Sequence, residues 1–187
     1  MFSVNDLTVL IVTFKTNHEI LEDCIKSIDG KAKILIVENS KDDQFKKKYE
    51  EKFSNIDVVL SGKNLGYGGG NNYGLNLIKT NYALICNPDV ILESDFFSCV
   101  DEYIKKNLDF DMIGPSYRDT GTASFGHFND FDKSQKDFDL KKKYALTTAH
   151  WIVGCTMLVN LKKFKNRILF DENFFLYFEE NDYCLRS

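Results

Sequence analysis

A chain of 187 residues with 43% hydrophobic and 14% aromatic side chains can bury one sizeable core, so a single folded domain is expected and disorder is excluded. The formal net charge of −4 removes the electrostatic case for nucleic acid, whose recognition needs a basic face to neutralise phosphates. Five cysteines, Cys24, Cys86, Cys99, Cys155 and Cys184, occur without a C-x-x-C pair and mostly in apolar surroundings; reduced core thiols of a cytoplasmic protein are expected, and a structural zinc site is not.

The opening segment MFSVNDLTVLIVTF lacks a basic stretch before its apolar run, and no run reaches the roughly 20 apolar residues that span a bilayer. Leu7 to Phe14 is short, nearly continuous in apolar residues and β-branched, as a strand buried on both faces reads. Thr16 and Glu19 form a T-x-x-E capping pattern ahead of a helix whose apolar face is Ile20, Leu21, Cys24, Ile25 and Ile28. Ala32 to Asn39 is a second strand. The charged stretch KDDQFKKKYEEKF predicts a helix with Phe45, Tyr49 and Phe53 four residues apart, and IDVVLS a third strand. After a run of glycines, Tyr73 to Lys79 is expected to be helical, Tyr82 to Asn87 to be a strand, and Ser94 to Lys106 a helix. Repeated β-α-β units imply a mostly parallel sheet with helices on both faces and a ligand site at the carboxyl ends of the strands.

Those ends are polar: Thr13 after the first strand, Glu38 and Asn39 after the second, Asn64 and the glycines after the third, Asn87 to Asp89 after the fourth. Each alone also suits a cap or turn. The stretch NLGYGGGNNYGLN is no P-loop, since no Lys-Ser or Lys-Thr follows it, and no dinucleotide fingerprint, since it follows the third strand and has Asn71 where the last glycine belongs. Two readings stay open. Either backbone and the Asn71 and Asn72 amides approach a flat or anionic ligand, or Gly68 to Gly70 permit close helix-strand packing.

LTVLIVTF, ILIVENS, NLGYGGGNNYGL, NPDV, WIVGCTMLVNLKKF and FDENFFLYFEENDYCLR occur in an order and spacing that resembles the family-2 glycosyltransferases, most of all their rhamnosyltransferase-type subgroup, over Leu7 to Arg186. The resemblance implies the nucleotide-sugar-binding GT-A fold in one α/β domain over residues 1–187. It also implies an inverting transfer from a UDP- or dTDP-linked sugar to a glycan or lipid-linked acceptor. By it, Thr13, Glu38 and Asn39 border the nucleoside, and Asn64, Gly66, Gly70 and Asn71 lie beside the nucleotide and donor sugar. Asp89 takes a divalent Mg²⁺ or Mn²⁺ ion with Asn87 in support; such ions use few protein carboxylates when phosphate and water complete the shell. Glu180 is the implied base, flanked by Glu179 and Asp182, although an exposed acidic first helical turn would read the same.

Trp151, Gly154 and Cys155 fall on the family's acceptor-side segment, where Trp151 either stacks on a sugar or belongs to the core; His150 receives no role. Residues 117–143 are polar and aperiodic, as an acceptor-side insertion would be. Two positions depart from the family. Glu38 and Glu180 stand where Asp is usual, which moves each carboxylate by about 1.5 Å, a C–C bond length, and an error of about 1 Å can cost on the order of 100-fold in rate. A sugar-phosphate nucleotidyltransferase would need glycines after the first strand, and TFKTNHE has none. Relatives continue for several elements beyond the EENDYCLRS ending. The expectation is therefore a truncated catalytic domain, slow or inactive alone, whose uncovered Phe174, Phe175 and Phe178 favour self-association; the alternative function is a non-catalytic nucleotide-sugar-binding module. A cytoplasmic location is expected, with peripheral contact at the inner membrane face left open.

Overall fold

A computed structural model describes residues 4–106, 109–115, 152–164 and 166–186. Six strands form one sheet: β1 (Leu7–Thr13), β2 (Lys33–Glu38), β3 (Ile56–Leu60), β4 (Tyr82–Cys86), β5 (Met112–Ile113) and β6 (Thr156–Asn160). Their spatial order is β3-β2-β1-β4-β6-β5. The first four run parallel, while β6 pairs antiparallel with both β4 and β5. Five helices, α1 (His18–Ser27), α2 (Asp43–Lys52), α3 (Gly66–Leu77), α4 (Phe96–Lys106) and α5 (Glu179–Arg186), complete the described secondary structure apart from short 3-10 turns.

The apolar strand runs follow from burial on two sides. Leu7, Val9 and Ile11 of β1 join Ile34 and Ile36 of β2 and Leu84 of β4 in one core, with the apolar faces of α1, α2 and α4. Leu10, Leu35, Val37, Ala83, Ile85, Met157 and Val159 point the opposite way, into a second core with Leu75 of α3, Phe170 and Tyr183 of α5. Successive strand side chains alternate between faces, so a strand covered on both sides must be apolar at nearly every position.

Local details correct several sequence expectations. Helix α1 is capped by Asn17, whose Oδ1 accepts from the Glu19 amide at 2.8 Å, while Thr16 Oγ1 accepts from Phe14 N–H instead. Ile20 is 47% exposed, leaving Leu21, Cys24, Ile25 and Ile28 as the buried side of that segment. Helix α3 begins at Gly66, seven residues before the expected Tyr73, so the glycines are helical rather than a loop ahead of a helix. Among the described residues no helix is long and apolar enough to cross a membrane.

Candidate active site

The ends of β1 and β2 are register partners at Thr13 and Glu38, and the Thr13 hydroxyl donates to Glu38 Oε2 at 2.6 Å. Both residues are buried, so this bond lies in a protected place. The longer glutamate side chain is thus anchored on the neighbouring strand. Asn39 continues the same edge: its N–H donates to Thr13 O at 2.7 Å and its Nδ2 to Gly66 O at 2.9 Å. The second bond fixes which way the amide faces, and it leaves the buried Oδ1 without a partner.

The β3 end turns through Ser61 and Gly62 into Asn64, whose Oδ1 accepts from Gly66 N–H at 3.0 Å as α3 opens. Gly66 has φ +75, and a Cβ there would lie 2.1 Å from the carbonyl oxygen of Phe175. At Gly68 a Cβ would meet Phe170 and Glu179, at Gly70 Val12 and Asn39, and at Gly74 Leu10 at 2.4 Å. Close packing of the α3 backbone on β1 and on the segment before α5 accounts for these glycines. Asn72 is also committed: its Nδ2 donates to Phe170 O, and its Oδ1 accepts from Leu169 and Phe170 N–H. Asn71 Nδ2 donates to Tyr67 O at 3.0 Å, leaving its buried Oδ1 unpartnered.

At the end of β4, Asn87 N–H donates to Cys155 O at 2.8 Å across the antiparallel pair, and Asn87 Oδ1 is buried without a partner. Asp89, two residues on, is exposed, and its charge adds to burial in pushing the Cys155 thiol up. The neighbouring Gly154 supports Glu180: a Cβ at Gly154 would sit 3.3 Å from the Glu180 carboxyl carbon and 3.4 Å from its Oε2. The Tyr67 hydroxyl donates to the carbonyl of the same Gly154.

Glu179 is buried, its aliphatic stem packed on Gly68 and its Oε1 unpartnered; burial, reinforced by Glu180, pushes its carboxyl up. Asp182 points to a different task, since its Oδ2 accepts from Arg186 Nε at 2.8 Å within α5. Phe175, Leu176, Tyr177 and Phe178 are exposed just before α5, and Tyr177 and Phe178 both have φ 73, a conformation costing about 1–2 kcal/mol each outside glycine. The apolar patch expected at Phe174, Phe175 and Phe178 is present on this surface.

Asn87 thus bonds Cys155, whose thiol Asp89 influences, Gly154 adjoins Glu180 and Gly68 adjoins Glu179, while Thr13, Glu38 and Asn39 sit at the ends of β1 and β2. Asp182 is engaged in its ion pair with Arg186. Trp151, His150 and residues 117–143 lie outside the described residues. Tyr67 and the seat that Gly154 offers Glu180 escape sequence reasoning; the one available signal is that Tyr67 keeps a large side chain inside a run cleared of them. Among the described residues no three His, Cys, Asp or Glu converge as a metal centre. Asp89, an exposed carboxylate two residues after Asn87, still fits a hard cation carried mainly by a diphosphate.

Comparison with known proteins agrees with this architecture. The chain is 26% identical to the rhamnosyltransferase WbbL of Escherichia coli, over 95% of this chain and 76% of that protein. It is 24% identical to the low-salt glycan biosynthesis hexosyltransferase Agl10 of Haloferax volcanii, over 98% of this chain and 62% of that one. Among solved structures, S. aureus TarS 1–349 in complex with UDP-GlcNAc superposes with a TM-score of 0.70 at 13% identity, covering 97% of this chain and 52% of that chain. The mannosyltransferase PcManGT of Pyrobaculum calidifontis, in complex with GDP-Man and Mn2+, superposes with a TM-score of 0.61 at 13% identity over 90% of this chain and 48% of that chain. The chain thus spans about half the length of these solved structures and shares their GT-A fold. The sequence profile of "Glycosyl transferase family 2" matches residues 8–168, most of the chain, and the protein belongs to that family.

Proposed function

We propose that this chain transfers a sugar, with inversion, from a UDP- or dTDP-linked donor to a hydroxyl of a glycan or lipid-linked acceptor on the cytoplasmic side of the membrane. The observation that carries the reading is the seat of Glu180. Its carboxyl rests on Gly154, and the adjoining Cys155 is bonded to Asn87, two residues before Asp89. A proton acceptor and a candidate diphosphate-side carboxylate thus flank one short piece of backbone, as a displacement at a single carbon requires.

In this reading the nucleoside lies over Thr13, Glu38 and Asn39 at the buried ends of β1 and β2, where the Thr13 hydroxyl holds the Glu38 carboxyl. Asn64 and the first turn of α3 border the diphosphate and donor sugar. Gly70 and Asn71 shape that wall through packing. Asp89 would hold Mg²⁺ or Mn²⁺, with Asn87 in support. When bound, the ion offsets the charge that grows on the leaving diphosphate. Glu180 takes the proton of the acceptor hydroxyl as the new C–O bond forms and the bond from the anomeric carbon to the phosphate oxygen breaks. Exposed Phe175, Leu176, Tyr177 and Phe178 offer rings and apolar surface on the acceptor side, with Glu179 buried behind them. The UDP-GlcNAc complex of one structural neighbour and the GDP-Man and Mn2+ complex of another support a nucleotide-sugar donor and a divalent ion.

The test is release of nucleoside diphosphate from UDP-, dTDP- and GDP-sugars with Mn²⁺ and candidate acceptors. Glu180→Gln should lose turnover by at least about 100-fold, while donor affinity stays within about three-fold, because the change removes proton acceptance and keeps size. Normal turnover of that variant would overturn the assignment.

A further inference from the structure

Tyr67 is the one side chain in the run Gly66 to Gly70, and it is held at both ends. Its backbone N–H donates to Phe175 O at 3.0 Å, and its hydroxyl donates to Gly154 O. These bonds land on the two supports of Glu180: the segment that leads into α5, and the peptide on which the carboxyl rests. Phe175 through Phe178 are exposed, and two of the four residues have left-handed backbone. Besides the Tyr67 bond, Phe178 O accepts from Asp182 N–H inside α5. The packing of Glu179 on Gly68 adds a contact to the same turn of α3.

We propose that Tyr67 is a positioning residue for the Glu180 carboxylate, tying the peptide beneath it and the segment that delivers it to one rigid turn of α3. Its kinetic consequences rest on the reading of Glu180 as the base. The hydroxyl suits a permanent strut, because burial, with Glu180 next in effect, pushes this phenol well above its ordinary range and keeps it a donor. The Phe170 ring, with its centroid 6.1 Å away, fixes the tyrosine ring from the side. An ordinary core tyrosine would end on a carbonyl far from the chemistry; this one ends under the carboxylate.

The decisive variant is Tyr67→Phe, which keeps the ring and removes one bond. In the chain labelled with carboxyl-¹³C glutamate, Glu180 is assigned by the signal missing from Glu180→Gln. That resonance should move or split by more than its line width in Tyr67→Phe, while the Glu38 signal stays in place. With a donor that turns over, kcat should fall by about 10- to 100-fold, as misplacement on the 1 Å scale implies, while donor KM changes by less than about two-fold. Adding Tyr67→Phe to Glu180→Gln should cost nothing further, since the strut has no base left to place.

An unmoved Glu180 resonance in folded Tyr67→Phe overturns the proposal. Should that variant fail to fold, Gly154→Ala gives the second measurement, because its Cβ would lie 3.3 Å from the Glu180 carboxyl carbon and shift it by a few tenths of an ångström; an unmoved resonance there is equally fatal. If the resonance moves but Glu180→Gln keeps full turnover, the strut stands and the base assignment fails. If Glu180→Gln is inactive while Tyr67→Phe keeps full kcat and an unmoved signal, the reverse holds.

Discussion

Replacing Gly66 with alanine probes the contact on which the proposed base depends. Gly66 combines φ +75 with a backbone oxygen, that of Phe175, 2.1 Å from where a Cβ would be. The left-handed conformation alone costs a residue with a Cβ about 1–2 kcal/mol. To reach ordinary contact at 3.4 Å the Phe175 carbonyl must also withdraw by about 1.3 Å, and a carbonyl has no rotamer to change. That movement breaks the 3.0 Å bond from Tyr67 N–H, worth about 0.5–1.5 kcal/mol, and leaves residual overpacking of about 1–3 kcal/mol. Allowing for partial relaxation, Gly66→Ala should destabilise by about 3–5 kcal/mol, a fall in Tm of roughly 10 °C for a chain of this size. Gly62 supplies the control: it has φ +78 and nothing within 4 Å of a built Cβ, so Gly62→Ala carries the backbone cost alone, about 1–2 kcal/mol. Urea denaturation of both variants and the parent measures the difference. Equal losses at the two glycines would refute the placement of the Phe175 carbonyl against α3, and with it the platform proposed for Glu180.

Two further outcomes are expected. In Mn²⁺ with UDP or dTDP at about 100 times Kd, the parent should gain about 2.7 kcal/mol by mass action, and Asp89→Ala should lose most of that gain; equal thermal shifts would remove Asp89 from the metal. Burial, reinforced by Glu180, raises the Glu179 carboxyl above the ordinary glutamate value of 4.5. The folded state therefore binds that proton more tightly than the unfolded chain, and the stability so contributed is present below that value and lost as pH rises through the folded one. Glu179→Gln should accordingly gain stability relative to the parent as pH rises from acid to neutral, and a difference independent of pH would contradict it.

The alternation of strands and helices, the mostly parallel sheet and the polar strand ends were legible in the sequence because they rest on local patterns. A strand covered on both faces is a continuous apolar run, as at Leu7–Thr13, and a helix with one buried side repeats its apolar residues every three to four positions, as at Leu21, Cys24 and Ile25. The family resemblance drew on the same short segments and pointed to Thr13, Glu38, Asn87, Asp89 and Glu180 as candidates. The start of α3 was not legible. Glycine is a poor helix former, so the run from Gly66 to Gly70 reads as a loop until packing on Val12, Phe170 and Glu179 stabilises it as a helix. Nor does any local pattern show that Ile20 faces solvent, that Asn72 bonds the backbone of Leu169 and Phe170, or that Glu180 rests on Gly154 while Asp182 pairs with Arg186. Residue type and spacing determined which groups have the chemistry to bind a diphosphate or accept a proton. Which of them meet, and which are used up in holding the backbone, depended on contacts between segments far apart in the chain, and such contacts exist only once the two cores have closed on the sheet.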